Sequence, residues 1–491
     1  MSYESNAPVI VGAGVAQQRF DDPSQAIEAS LLMRAAIANA AIDAGSSNLL
    51  HAADTILMPR GTWPYANPGT LVAPWNPELR SIIADVGVLQ QTLLSRACAM
   101  VADGRARVVL VCGGETKFRS LRSQITGIEA IETTTSGSPN ERLEPAHEIL
   151  TPEEVGRGLH VPARQYAMID TALRRAQGLS SAEHIGALAE LWCAFSAVAA
   201  TNTDAWSRVA IEPDALRADV TRADATSNAM LAWPYTKLHC SQWNVDQAAG
   251  LIVCSTSTAA RLGVARDRWV FAHVGVESNH MVPLSRRAEL HRSPAVAVVG
   301  DVVRRHCGVT PADIEHLDIY SCFPAAVRVQ AAELELAQDR ALTVTGGMTF
   351  AGGPLNNYTL QAMAKMVHVL RGEPSNRGLV TNVSGMLTKY GASVWSCEPP
   401  AQPFASIDVS ASAAEVTTTT NVDAEYEGDA RVLTYTVASD KGKPIQGIVI
   451  GESADGRRCL ASTSDGDLML DMANYDYCDR IVEVAGSTLR G

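Results

Sequence analysis

Apolar runs and helix-period segments alternate along the chain as far as residue 395, the pattern of an α/β protein. Residues 8–14, Pro-Val-Ile-Val-Gly-Ala-Gly, predict a buried strand and a turn, and 25–44 carry apolar positions at helical spacing. A short strand follows at 55–58, a helix at 88–103 and a largely apolar strand at 107–112. Residues 120–156 are polar and rich in Ser, Thr, Gly and Pro. Helices come next, notably 188–200; Trp192 inside it and Trp206 just beyond predict a packed helical insertion. The alternation returns with strands at 250–254 and 269–275, a strand at 317–320, helices at 324–336 and 358–371, and a strand at 378–381.

Beyond this point the pattern changes. Glu398-Pro-Pro-Ala-Gln-Pro403 and the Ser/Ala/Thr-rich run to Thr420 read as a linker. Short strands are predicted at 431–438, 446–450, 457–462 and 480–484, with Asp455-Gly456 and Asp465-Gly466 as turn signals. Closing so many short strands into a small β-barrel removes their exposed edges.

A chain of 491 residues has room for more than one core. Its 53 acidic and 40 basic side chains leave a net charge of −13 without a compensating basic cluster, which argues against nucleic acid and anionic membranes as partners. An anionic ligand would need a local basic pocket, and Lys117, Arg119 and Arg122 past a strand end are candidates for one. Ten scattered cysteines without a Cys-x-x-Cys pair fit a reducing cytoplasm better than a disulfide or zinc framework. No basic segment followed by an apolar core opens the chain, and no wholly apolar stretch reaches roughly 18 residues. The expectation is a cytoplasmic protein without a membrane span.

Gly12-Ala-Gly14 follows a strand, but Gln17 stands where a dinucleotide fingerprint needs its third glycine. Phosphate-loop, His-Glu-x-x-His and Gly-x-Ser-x-Gly motifs are absent, and the eleven histidines show no metal-ligand spacing. The informative run is Gly346-Gly-Met-Thr-Phe-Ala-Gly-Gly-Pro354. It resembles the thiolase segment in which paired glycines, four residues and Gly-His-Pro carry a catalytic histidine; Gly353 occupies the histidine position. Residues 87–104 with 107–115 resemble the thiolase nucleophile helix and the strand after it, and the nucleophile position falls on Gly87. Trp233–Ser241 with Asp246–Ala249 resembles the segment returning to the core from the family's loop domain. Tyr320-Ser-Cys-Phe323 and Asn382-Val-Ser-Gly385 occupy two further motif positions.

This resemblance implies a thiolase fold, two β/α halves in a five-layer αβαβα core, roofed by a helical insertion and handling an acyl-CoA. The boundaries are 1–119 with 241–265 for the N-terminal half, 120–240 for the insertion, and 266–397 for the C-terminal half. A linker at 398–420 and an OB-like domain at 421–491 complete the chain. The tail resembles the extra domain of actinobacterial thiolase-like proteins of type 1, and few aromatics on its strands argue against oligonucleotide binding.

Thiolysis requires a thiolate at a helix N-terminus, a base and a second acid/base. Glycine at 87 supplies no thiol, and Cys98 lies roughly 16 Å further along the helix. Cys112 reads as an inert core thiol, Gly353 offers no imidazole, and Asn382 and Ser384 replace a second titratable thiol. Cysteine-dependent acyl transfer is therefore not expected, although the family resemblance is to acetyl-CoA acyltransferases. Candidate catalytic residues are Tyr320, Tyr358, Cys322 and His239. Candidate coenzyme A contacts are Gly87, Lys117, Arg119, Gly352, Gly353, Asn356, Asn382 and Ser384. Two alternatives stay open: a retro-aldol lyase on a β-hydroxyacyl-CoA using Tyr320 or Tyr358, and a noncatalytic acyl-CoA-binding scaffold. No tightly bound cofactor or metal is expected; a homodimer through the core sheet is, unless the added domain prevents it.

Overall fold

The computed structural model describes residues 5–216, 228–337 and 339–490; residues 1–4, where the chain was read for a leader, lie outside them. Two sheets form the core. The first runs Arg80–Ala84, Thr55–Pro59, Val108–Thr116, Asp246–Ser255, Pro8–Gln17. The second runs Val270–Ser278, Lys389–Ser396, Arg377–Ser384, His316–Asp318. They meet where Val9 pairs with Phe271 and Ile10 with Val270. Helices Gln90–Ala102 and Tyr358–Gly372 lie between the sheets and pack on strands of both. Ala29–Ala44 covers the outer face of the first sheet and Pro294–Cys307 that of the second, which gives the five layers. Strands covered on both faces read as unbroken apolar runs, and every residue of Asp246–Ser255 and Val108–Thr116 is buried.

Gly12 and Gly14 belong to a strand that continues to Gln17, where a turn was expected. Their role is close packing. A Cβ on Gly12 would stand 2.1 Å from the Ala40 carbonyl oxygen, so helix Ala29–Ala44 lies almost against the strand backbone. No room is left there for a pyrophosphate.

Part of the expected linker is ordered. Ala405–Asp408 pairs in parallel with Val270–Ser278, from Ala405↔Val274 to Asp408↔Glu277, and Ser410–Val416 is a helix. That edge is free for pairing because Pro8–Gln17 covers only Phe271 and Val270. At the opposite end of the core, Glu141–Leu143 adds to the outermost strand Arg80–Ala84. Glu141 is paired with Arg80 and Arg96, and Arg142 grips Asp85 with N···O distances of 2.8 and 3.0 Å. The polar stretch after residue 120 thus ends the sheet from within the same chain.

Helix Ser181–Thr201 is long and apolar enough to cross a membrane by length and composition, which the count of wholly apolar residues did not register. Its Leu188, Trp192, Phe195 and Ala199 are buried, and the Trp192 indole N–H donates to Thr349 Oγ1 at 3.1 Å, so this face packs as a core helix.

Five strands close the C-terminal barrel: Glu427–Asp440, Lys443–Glu452, Arg458–Thr463, Thr488–Arg490 and Ile481–Ala485, the last pairing back with the first. The barrel is docked, not tethered. Strand Met230–Ala232 of the insertion joins its sheet at Ala438↔Ala232, and Trp233 stacks on Tyr435 at 5.2 Å. Buried Arg174 on helix Pro162–Ala176 holds Asp476 at 2.6 Å.

Candidate functional site

Five of the residues singled out from sequence converge. Gly87, Tyr320, Asn356, Asn382 and Ser384 line one cavity of about 160 Å³ with Val86, Val88, Gln90, Leu355 and Val383. That volume is below the roughly 300–1,000 Å³ of a site enclosing a whole small-molecule ligand; it accommodates a reacting end. Gly87 precedes helix Gln90–Ala102 with φ +102°, the left-handed region that favours glycine. A Cβ there would meet Pro145 Cβ and Cγ at 3.3 Å and Ile149 Cδ1 at 3.7 Å. The place of the missing side chain is thus partly filled by the segment that follows the edge-capping strand.

The Gly87 carbonyl receives hydrogen bonds from Lys389 Nζ at 2.5 Å and Ser384 Oγ at 3.4 Å. Asn382 bridges the halves: Oδ1 accepts from the Gln91 N–H at 3.3 Å and Nδ2 donates to Thr359 Oγ1 at 3.0 Å. Gln90 Oε1 accepts from the Thr359 N–H at 2.7 Å. The two central helix starts are thereby locked together beneath the cavity. Asn356 Nδ2 is buried and finds no hydrogen-bond partner among the described residues.

Tyr320 and Tyr358 have separate fates. Their rings meet edge to face at 5.7 Å, but only Tyr320 lines the cavity. Tyr358 is 1% exposed, and its hydroxyl donates to Asp318 Oδ1 at 2.9 Å beside Thr345 Oγ1 at 2.7 Å. Burial raises both phenol pKa values, so each stays protonated. Gly353 abuts Ser241 and Met348, whose atoms would stand 3.3 Å from a Cβ, and it lies outside the cavity wall. Gly352 has φ +104°, and a Cβ there would collide with Gln247 Oε1 at 2.0 Å.

Cys322, His239, Lys117 and Arg119 do not line the cavity. Burial pushes the Cys322 thiol up to about 12, which leaves it protonated and a poor nucleophile. Arg119 donates from Nη1 to Glu132 at 2.6 Å, from Nη2 to the Ile131 carbonyl at 2.8 Å and from Nε to the Ala26 carbonyl at 3.1 Å, so its guanidinium is committed to folding the chain. Lys117 Nζ lies 4.8 Å over the Trp243 ring. Among the described residues no cluster of His, Cys, Asp and Glu is arranged to hold a metal ion.

His239 contacts Thr236 Oγ1 at 2.9 Å and, like His184 and His273, is held down to about 4 mainly by burial. These imidazoles are neutral in the folded protein and protonate more readily once unfolded. The stability they confer is present above the ordinary value of 6.5 and lost as pH falls through about 4. Melting temperature is expected to fall steadily across that window, as scanning calorimetry at stepped pH would measure.

Sequence reading missed Lys389, Glu277 and the roof at Pro145 and Ile149. Lys389 is 4% exposed on a strand otherwise free of charge, and that break in an apolar run was the available signal. Burial lowers its pKa from the ordinary lysine value, against the opposing field of Glu277. Glu277 is half-buried, and desolvation raises its pKa; it accepts from Thr92 Oγ1 at 2.8 Å.

The layers, the loop insertion and the two glycine-bearing segments define a thiolase-fold protein. Among solved structures, a monomeric SCP2-thiolase-like protein type 1 from Mycobacterium smegmatis is similar over 99% of this chain and 98% of its own, with 27% identity and a TM-score of 0.83. An Ltp2–ChsH2(DUF35) aldolase matches 80% of this chain and 98% of its own, at 19% identity and TM-score 0.58. The dimeric peroxisomal thiolase of Saccharomyces cerevisiae matches 81% and 99%, at 12% identity and TM-score 0.55. These last two share the fold. A search of curated proteins gave no match. Residues 409–486 match the model of the thiolase-like protein type 1 additional C-terminal domain. Core and tail together are similar to thiolase-like proteins of type 1.

Proposed function

We propose that the protein binds the thioester end of an acyl-CoA in the Gly87 cavity and does not carry out cysteine-dependent acyl transfer. The observation that carries this reading is Gly87 itself: a backbone at φ +102° with Pro145 against the position a side chain would take. The nucleophile's place has been rebuilt for glycine. The helix start at Gln90 and the Asn382 bridge between the halves support a built binding floor.

Calorimetric titration of the full chain with CoA and short acyl-CoAs is expected to show saturable binding, and a thiolysis assay no turnover. Absence of binding refutes the reading, and a thioester trapped on any cysteine refutes the loss of cysteine chemistry.

Retro-aldol cleavage is the second reading, and the cavity favours Tyr320 for it over Tyr358, whose hydroxyl is held by Asp318 and Thr345. Turnover of a β-hydroxyacyl-CoA that disappears in Tyr320→Phe supports it.

The self-paired edge at Arg80–Ala84 supports a monomer. The relative from Mycobacterium smegmatis is described as monomeric and the yeast thiolase as dimeric. Sedimentation is expected to return the 52.2 kDa of one chain; a concentration-independent mass of twice that value refutes it.

A further inference from the structure

The wall of the cavity holds a hydroxyl and an amide, and a buried amine reaches the Gly87 backbone behind it; the family's cysteine chemistry uses none of them. Ser384 and Lys389 are directly opposite each other in the antiparallel ladder, so their side chains share one face. Both end on a single acceptor, the Gly87 carbonyl, with Lys389 Nζ at 2.5 Å and Ser384 Oγ at 3.4 Å. That shared contact brings hydroxyl and amine to one acceptor at the helix start where a thiolase places its nucleophile. Ser384 lines the cavity together with Gly87, Tyr320 and Asn356. The Asn356 amide nitrogen is buried with no partner among the described residues, and a ligand oxygen in the cavity would supply one.

Lys389 has the surroundings of a base. It is 4% exposed, and burial lowers its pKa, so its neutral form is more accessible than that of a surface lysine. Glu277, on the neighbouring strand, opposes that shift, and Asp408 stands behind Glu277.

We propose that Ser384 and Lys389 act as a serine–lysine pair that accepts the acyl group of a short acyl-CoA, with Asn356 Nδ2 donating to the carbonyl oxygen. The step rests on the reading that an acyl-CoA thioester occupies this cavity. Neutral Lys389 takes the Ser384 hydroxyl proton as Oγ bonds to the thioester carbonyl carbon, and the π electrons move onto the carbonyl oxygen. Their return breaks the C–S bond. The departing CoA thiolate takes the proton from the Lys389 ammonium, leaving free CoA and a Ser384 oxygen ester. Serine–lysine pairs are a known variant of the nucleophile-and-base arrangement.

The full chain, incubated with acetyl-CoA, is examined by intact mass and peptide mapping. The expected result is one acetyl group on the peptide containing Ser384, resistant to neutral hydroxylamine and released by alkaline hydroxylamine, as an oxygen ester is. Ser384→Ala abolishes it, and Lys389→Met slows it by at least about 100-fold, the usual contribution of a positioned base. Ser384→Cys, a near-isosteric change that preserves the fold, is expected to give an adduct labile to neutral hydroxylamine. Acetylation that persists in Ser384→Ala, or a rate unchanged in folded Lys389→Met, overturns the proposal. Calorimetric binding of acetyl-CoA with no adduct in either the native or the Ser384→Cys protein overturns the serine–lysine pair and leaves the binding reading intact. Absence of binding removes both.

Discussion

Asp318→Ala is expected to destabilise the protein by about 3–5 kcal/mol, the cost of stranding buried donors around a deleted charge. Asp318 is 1% exposed at the end of strand His316–Asp318. One carboxylate oxygen accepts from the Thr343 and Thr345 hydroxyls at 2.9 Å and from the Val344 and Thr345 N–H groups at 3.1 Å. The other accepts from the Tyr358 hydroxyl at 2.9 Å. These donors hold the turn into Gly346 and Gly347, which run at φ +98° and +76°. A Cβ on Gly346 would stand 2.4 Å from Ala199, so the turn is pressed against helix Ser181–Thr201. Chemical denaturation measures the loss. Tyr358→Phe removes a single donor and is expected to cost about 1 kcal/mol, which separates the turn's dependence on the carboxylate from its dependence on the phenol.

Arg328→Met is expected to cost a similar amount, about 3–5 kcal/mol, because it leaves Asp170 buried without its charge partner. Asp170 is fully buried on insertion helix Pro162–Ala176, with Arg328 Nη1 at 2.6 Å from Oδ1 and the Tyr235 hydroxyl at 2.6 Å from Oδ2. Arg328 also contacts His184 Nδ1 at 2.9 Å and donates to Gln177 Oε1 at 2.6 Å. Tyr235 in turn accepts from the Ala325 N–H at 3.0 Å. One guanidinium therefore joins insertion helices Pro162–Ala176 and Ser181–Thr201 to the helix Pro324–Glu333 of the C-terminal half. Hydrogen exchange in Arg328→Met should rise first in the insertion, while the strands Val108–Thr116 and Asp246–Ser255 stay protected; uniform deprotection would show that the cluster does not act as a hinge pin. Asp170→Asn with Arg328→Met should cost less than the two single changes summed, since the pair fails together.

The thiolase-like landmarks were legible because glycines with positive φ and fixed spacing leave a strong mark. Gly87, Gly346, Gly347 and Gly352 all adopt it. The barrel was legible from its short strands and the Asp455-Gly456 turn, whereas Asp465-Gly466, read as a second turn, opens helix Gly466–Asn474 with Asp465 as its cap. What separated Tyr320 from Tyr358 was invisible: both are tyrosines near landmark motifs, and only burial against Asp318 distinguishes a structural hydroxyl from one on a cavity wall. Arg119 was read as a coenzyme A contact because it follows a strand end. Its commitment to Glu132 and two carbonyls depends on contacts with no periodicity. Lys389 was passed over since one lysine within a strand forms no motif. The ordering of 405–408 escaped a compositional reading because a strand of four residues recruited by a free sheet edge needs little propensity of its own.

The residues from Glu141 to Ile149 do two things at once: the first three seal the outermost strand, and Pro145 with Ile149 covers Gly87. Nothing bulky can reach Gly87 from that side unless this latch swings away, and its swing would lay bare a strand hungry for hydrogen bonds. Cover for Gly87 and cover for the sheet edge are therefore one segment, tied down by the ion pairs of Glu141 with Arg80 and Arg96.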